Sequence, residues 1–89
     1  MGSKPQYRPK LLADKLHKIR IKLGEPPYDD MIVLLDVPET GLKKNAIHYY
    51  ENGKKNPPLN VLLRYSELST ISVNDLIDDR VSADSLFRS

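Results

Sequence analysis

The sequence predicts an all-α fold, and three observations predict it. Apolar residues recur at helical spacing in several segments. Glycine and proline fall between those segments rather than inside them. No segment shows the strict apolar–polar alternation of a half-buried strand. With 89 residues, the chain has room for one core and about one domain.

Residues 1–10 read as a flexible basic arm, with Pro5 and Pro9 flanking Tyr7 and Arg8. In 10–23, Leu12, Leu16, Ile19 and Leu23 are spaced by four, three and four. That spacing places them in one stripe of an amphipathic helix. Gly24 follows where a helix ends, and Pro26-Pro27 prevent continuation while suiting the start of the next helix.

The second segment, 28–37, carries Met31, Ile32, Val33, Leu34 and Leu35 in a row. Period alone does not separate a buried helix from a buried strand here. Asp29 and Asp30 suit the positive end of a helix dipole, so the segment is read as a helix. Pro38-Glu39-Thr40-Gly41 reads as a turn. A third helix is expected over 42–52, with Leu42, Ala46, Ile47 and Tyr50 on one face, stopped by Asn52-Gly53. Lys54 to Pro58 forms a basic loop closed by two prolines. Leu59, Leu62 and Leu63 open a fourth helix running to 68. A fifth is expected over 72–78, where Ser72 and Asp75 have the spacing of a capping box. Residues 80–89 are weakly patterned and read as a tail. The expectation is therefore a compact five-helix bundle over 11–79.

Composition narrows the function. The chain is 39% hydrophobic and 29% charged, the balance of a globular domain rather than a disordered one. It has no cysteine, which excludes disulfides, thiolate metal sites and thiol catalysis and fits a reducing compartment. No apolar run approaches the roughly 18 residues of a membrane span. The N-terminus also lacks a signal-peptide core, so the expected location is the cytoplasm. His17 and His48 lie 31 positions apart, on different predicted helices. No metal-ligand spacing, phosphate loop or nucleophile elbow is present. Asp29-Asp30 and Asp78-Asp79 are neighbours in sequence, so on a helix each pair points about 100° apart, and they read as solvated charges. Neither an enzyme nor a cofactor is expected.

Charge is unevenly distributed. The net value is +2, but Lys4 to Lys22 holds seven bases against Asp14. Glu25 to Glu39 holds five acids and no base, and Lys43 to Lys55 holds four lysines against Glu51. This pattern suggests one basic and one acidic face. Lys43, Lys44, Asn45, His48 and Tyr49 lie away from the apolar face of the third helix, and Asn52, Lys54 and Lys55 follow. Lysine suits guanine acceptors and asparagine suits adenine in a major groove. The same types grip phosphates.

The order of motifs then carries a resemblance. It begins with Leu16-x-x-Ile19-Arg20-x-x-x-Gly24 and a short apolar helix. Ile47-x-x-Tyr50-Glu51-Asn52-Gly53-Lys54 follows, then Pro57-Pro58-Leu59-x-x-Leu62-Leu63 and Ser72-Val73-x-x-Leu76-Ile77. Over about 11–79 this series resembles the Cro/CI-type (Xre-like) helix-turn-helix domain, the lambda-repressor-like fold. The resemblance implies a sequence-specific DNA-binding transcriptional regulator, a repressor, that places helix 42–52 in the major groove as a homodimer on a two-fold operator. It implies base contacts from Lys44, Asn45, His48 and Tyr49, and phosphate contacts near Lys43 and Asn52. It also implies a structural ion pair between Arg20 and Glu51, with Tyr50 in the core.

Two departures stand out. The family usually opens its second helix with Ser-Gln, which holds a phosphate. This chain has Pro27-Tyr28 there, which leaves the Tyr28 hydroxyl as donor and brings Asp29 and Asp30 close behind. The turn from Asp36 to Gly41 is also longer than the common form. These departures sustain an alternative: a protein-interaction module on the same fold, such as an antitoxin subunit or adaptor, with weak or lost DNA binding. A dimer surface is sought among Val73, Leu76, Ile77, Val81, Leu86 and Phe87.

Overall fold

A computed structural model describes residues 10–37 and 42–87. All regular structure among them is helical, in the order α1 (Leu12–Lys22), α2 (Tyr28–Leu35), α3 (Lys44–Glu51), α4 (Leu59–Ser69), α5 (Val73–Ile77) and α6 (Ala83–Leu86). The N-terminal arm up to residue 9, the 38–41 part of the turn between α2 and α3, and residues 88–89 lie outside the described residues.

The periodic stripes become the core. Leu12, Leu16 and Ile19 of α1 pack with Met31 and Leu35 of α2, Ile47 and Tyr50 of α3, Val61, Leu62 and Tyr65 of α4, and Leu76 of α5. Together they form one buried cluster. Burying each such side chain stabilises the fold by about 1.5–3 kcal/mol.

Local chemistry sets the boundaries. Gly24 takes a left-handed backbone, φ 101°, just past α1, where glycine avoids the Cβ clash. The second helix ends two residues before the expected 37. Asp36 turns left-handed (φ 49°) while its N–H still bonds the Ile32 carbonyl at 3.1 Å. The third begins at Lys44 rather than Leu42, because Lys43 is extended as its N-cap. At α5 the Ser72 hydroxyl accepts the Asp75 N–H at 3.1 Å, the cap its spacing predicts.

The expected five helices become six. Ser82 repeats the capping device, its hydroxyl accepting the Ser85 N–H at 3.2 Å, and α6 forms behind it. Ala83 is buried and Phe87 packs against the core. The supporting signal is a serine before an acidic first turn, Ser82-Ala83-Asp84, a weak mark in a four-residue helix.

The adjacent acids 78 and 79 are not solvated surface charges, as their spacing suggested. Asp79 accepts the N–H groups of Lys10 and Leu11, each at 3.0 Å, and so closes the start of α1 from 68 residues away. Asp78 is bound by the Arg80 side chain and its backbone N–H. These bonds favour the charged form. Hydrogen bonds from Arg80 hold the Asp78 pKa down at about 2. The two backbone donors lower that of Asp79. A carboxylate with a depressed folded-state pKa stabilises the fold above its unfolded value, near 3.8 here. That stabilisation is lost as pH falls. The melting temperature is therefore expected to drop steeply between pH 3.8 and about 2. Asp79→Ala should lower it at neutral pH and flatten that acid slope. A slope unchanged by Asp79→Ala in a melting series would rule out the cap.

Candidate nucleic-acid interface

The third helix has two unlike sides. Ile47 is fully buried and Tyr50 nearly so. A rotation of about 100° per residue puts Asn45, His48, Tyr49 and Asn52 on the opposite side. Lys44, Asn45, His48 and Asn52 are exposed there and Tyr49 is half-buried, while Lys43, Lys54 and Lys55 are exposed at the flanks.

These residues are partly ordered by one another. The Asn52 amide nitrogen lies 2.9 Å from His48 Nε2. If that amide donates, His48 carries its proton on Nδ1. The His48 ring stands 6.0 Å from Tyr28 and 5.9 Å from Tyr49, tilted to both. Lys55 Nζ sits 5.2 Å over the Tyr49 ring, a cation–π distance. Lys43, Asn45, Tyr49 and Lys55 line one shallow depression of about 270 Å³ beside α3. Gly53 makes the basic loop turn here, with φ 75°. The Lys54 N–H then returns to the Tyr49 carbonyl at 2.9 Å.

Glu51, the carboxylate of α3, points the other way. Its side chain is 4% exposed, and Arg20 binds it through Nε at 2.8 Å and through a terminal nitrogen at 3.1 Å. The other terminal nitrogen of Arg20 donates to the Pro26 carbonyl at 3.0 Å, and the guanidinium lies 4.8 Å over the Tyr28 ring. The hydrogen bond to Glu51 raises the Arg20 pKa further, so its charge is permanent. Sequence spacing gave no partner for His17. Its Nδ1 is 2.8 Å from Glu51 Oε1, so the carboxylate is shared by two residues of α1. Tyr65 lies fully buried in α4. Burial, and then the charge of Glu51, push its hydroxyl pKa far up.

Tyr28 is half-buried at the first turn of α2, with its ring against Arg20 and near His48. Asp29 and Asp30 are exposed beside it. The structure thus places a carboxylate pair at the start of α2, where Pro27-Tyr28 departs from the Ser-Gln of the Cro/CI-type pattern.

Among the described basic residues of 10–22, two are turned inward. Lys15 is fully buried and Arg20 is 8% exposed. Lys18 reaches Asp84 at 3.5 Å. Lys10 and Lys22 are exposed, as are Lys43, Lys44, Lys54 and Lys55 around α3. Among the described residues no helix is long and apolar enough to cross a membrane. Set against family models, curated proteins and solved structures, the chain matches none of them.

Proposed function

We propose that this chain is a sequence-specific DNA-binding transcriptional regulator, a repressor of the Cro/CI type, that lays α3 in the major groove of a two-fold duplex site. One observation carries the reading. The outward side of α3 and its flanks offer lysines, amides and imidazole, while the helix's own carboxylate is turned inward to Arg20. A face of that kind meets phosphates without like-charge repulsion and can hydrogen-bond base edges. Lys44, Asn45, His48 and Tyr49 read bases. Lys43, Asn52, Lys54, Lys55 and the Tyr28 hydroxyl hold the backbone. The reading needs no cofactor and no catalytic step, and places the protein in the cytoplasm.

Fluorescence anisotropy with a random duplex and with a duplex selected from a randomised library, each at two salt concentrations, tests this. Tight selected binding that falls steeply with salt is expected. Lys44→Ala or Asn45→Ala should cost about 1–3 kcal/mol on the selected duplex and relax its specificity. Lys54→Ala should weaken all duplexes alike and reduce the salt slope by about one. If neither kind of substitution changes affinity, the face is wrong.

A second reading has an observation of its own. On α2, Val33 is 74% and Leu34 43% exposed, beside the exposed Asp29 and Asp30. An apolar pair with acids suits a protein partner, as in an antitoxin subunit or adaptor. Weak, unselective duplex binding even at low salt would favour it.

A further inference from the structure

Several of the apolar residues first considered for pairing two copies are used inside the fold. Leu76 is fully buried, and Val73 and Ile77 pack against the core. Leu86 and Phe87 do something else as well. Both are half-buried, and they border an open cleft of about 440 Å³. Ile19 and Leu23 of α1 line it with them, as do Leu68 and Ile71 at the end of α4. No residue of α3 lines it, and α6 packs on α1. The volume falls within the roughly 300–1,000 Å³ of small-molecule sites.

The polar groups of the lining decide what the cleft takes. Ser69 and Thr70 bring hydroxyls, but both are engaged locally. Ser69 Oγ accepts the Ile71 N–H at 3.2 Å and donates to the Ser66 carbonyl at 3.4 Å. Thr70 Oγ1 donates to the Ser69 carbonyl at 2.5 Å. At the end of α1, the N–H groups of Leu23, Gly24 and Glu25 close the carbonyls of Ile19, Arg20 and Ile21. Those bonds blunt the negative end of that helix. Lys22 is the one charged residue of the lining, and it is exposed. Among the described residues it pairs with no carboxylate, whereas Lys18, one turn earlier, reaches Asp84 at 3.5 Å. An apolar bed with a single unspent cation at its rim fits a ligand with an apolar body and one anionic head. A sugar or nucleotide needs several convergent polar partners, and an alkylammonium would meet like charge.

We propose that the cleft between α1, the end of α4 and α6 binds a small amphipathic carboxylate, of which a medium-chain fatty acid is the simplest. Its chain lies against Leu68, Leu86 and Phe87, and its carboxylate meets Lys22. A lysine can hold such a head in water while its own stem runs along apolar surface. Burial of the chain supplies the affinity, and the charge selects the head group. The site stands apart from α3 and holds whether or not the chain binds DNA. Helix α6 has four residues and is attached through α1. A ligand that touches α1, α4 and α6 together therefore stabilises that end of the fold.

The test titrates the full chain with decanoate, decanol and decylamine, each below the concentration at which it aggregates. Melting and the NMR shifts of the backbone amides are followed together. Decanoate should raise the melting temperature as its concentration rises. It should shift the amides of Leu23, Ile71 and Phe87 to saturation and leave those of Val33 and Asn45 in place. Decanol should bind more weakly, and protonated decylamine more weakly still. Lys22 is exposed, so Lys22→Glu should keep the fold. That variant should bind decanoate about fivefold less tightly or worse and turn the preference toward decylamine. No saturable shift at the cleft would overturn the proposal. So would equal shifts at the exposed Val33 and Leu59, the mark of general adsorption to apolar surface. An order of the three probes that Lys22→Glu leaves unchanged would overturn it too, because the head group is then not selected by Lys22.

Discussion

Replacing Lys15 with methionine is expected to destabilise this protein by about 3 kcal/mol or more, a large share of the roughly 5–15 kcal/mol that holds a domain together. Lys15 is completely buried. Its ammonium donates to the carbonyls of Asp75 at 2.7 Å, Asp78 at 2.8 Å and Leu76 at 3.2 Å. These carbonyls lie at the C-terminal end of α5, where the helix leaves them without partners and favours positive charge. In return, the chain just past α5 sends Asp79 to the unpaired N–H groups at the start of α1. Each helix closes an end of the other. Methionine fills similar space but supplies no donor, so it strands buried carbonyls rather than opening a cavity. On a domain of this size the melting temperature should fall by more than about 12 °C.

The pH dependence gives an independent check on Lys15. Burial lowers its pKa below 10.5, opposed by the charges of Asp79, Asp78 and Asp75. The unfolded chain therefore binds that proton more tightly. This group's contribution to stability rises as pH approaches 10.5. The gap between wild type and Lys15→Met should widen over the same range. An unchanged melting temperature in Lys15→Met would show that water replaces the ammonium without loss.

How much of this was legible depends on how local the cause is. The α1 stripe was legible because helical period alone puts Leu12, Leu16 and Ile19 together, and all three are buried. The same arithmetic held a warning about Lys15. It sits three residues after Leu12 and four before Ile19, inside the stripe, so a buried lysine needing acceptors was written there. What was not written is that the acceptors lie 60 to 63 residues away. His17 and Asp79 fail for the same reason, since their partners are set by packing rather than by spacing. In α2 the limit is different. A run of five apolar residues presents apolar groups on every side, so it cannot say that Met31 and Leu35 go inward while Val33 stays 74% exposed. On α3 the split was clearer, because polar and apolar residues alternate at helical period. The outward positions Lys44, Asn45 and His48 are exposed as that pattern requires.

Arg20→Ala is expected to be the most damaging single change near the α3 face, at about 3–5 kcal/mol. The loss comes from what stays behind. Glu51 is 4% exposed, and without Arg20 it is a buried carboxylate held by His17 alone, a residue whose own side chain is 45% exposed. Arg20 also joins three elements at once: α3 through Glu51, the loop before α2 through the Pro26 carbonyl, and α2 through the Tyr28 ring. His17→Ala touches the same carboxylate from the solvent side and should cost less than about 1 kcal/mol. The two effects should not add, because after the first substitution Glu51 has one partner left. Replacing both charges with apolar residues of similar volume, Arg20→Met with Glu51→Leu, should recover much of the loss, because no unpaired charge is then buried. Thermal melts of the four variants decide this. In the DNA-binding reading, Arg20→Ala well below its melting temperature should keep most duplex affinity, because Arg20 positions α3 from behind and stands away from its outward side. Affinity lost in full while the fold remains intact would move Arg20 from the scaffold to the interface.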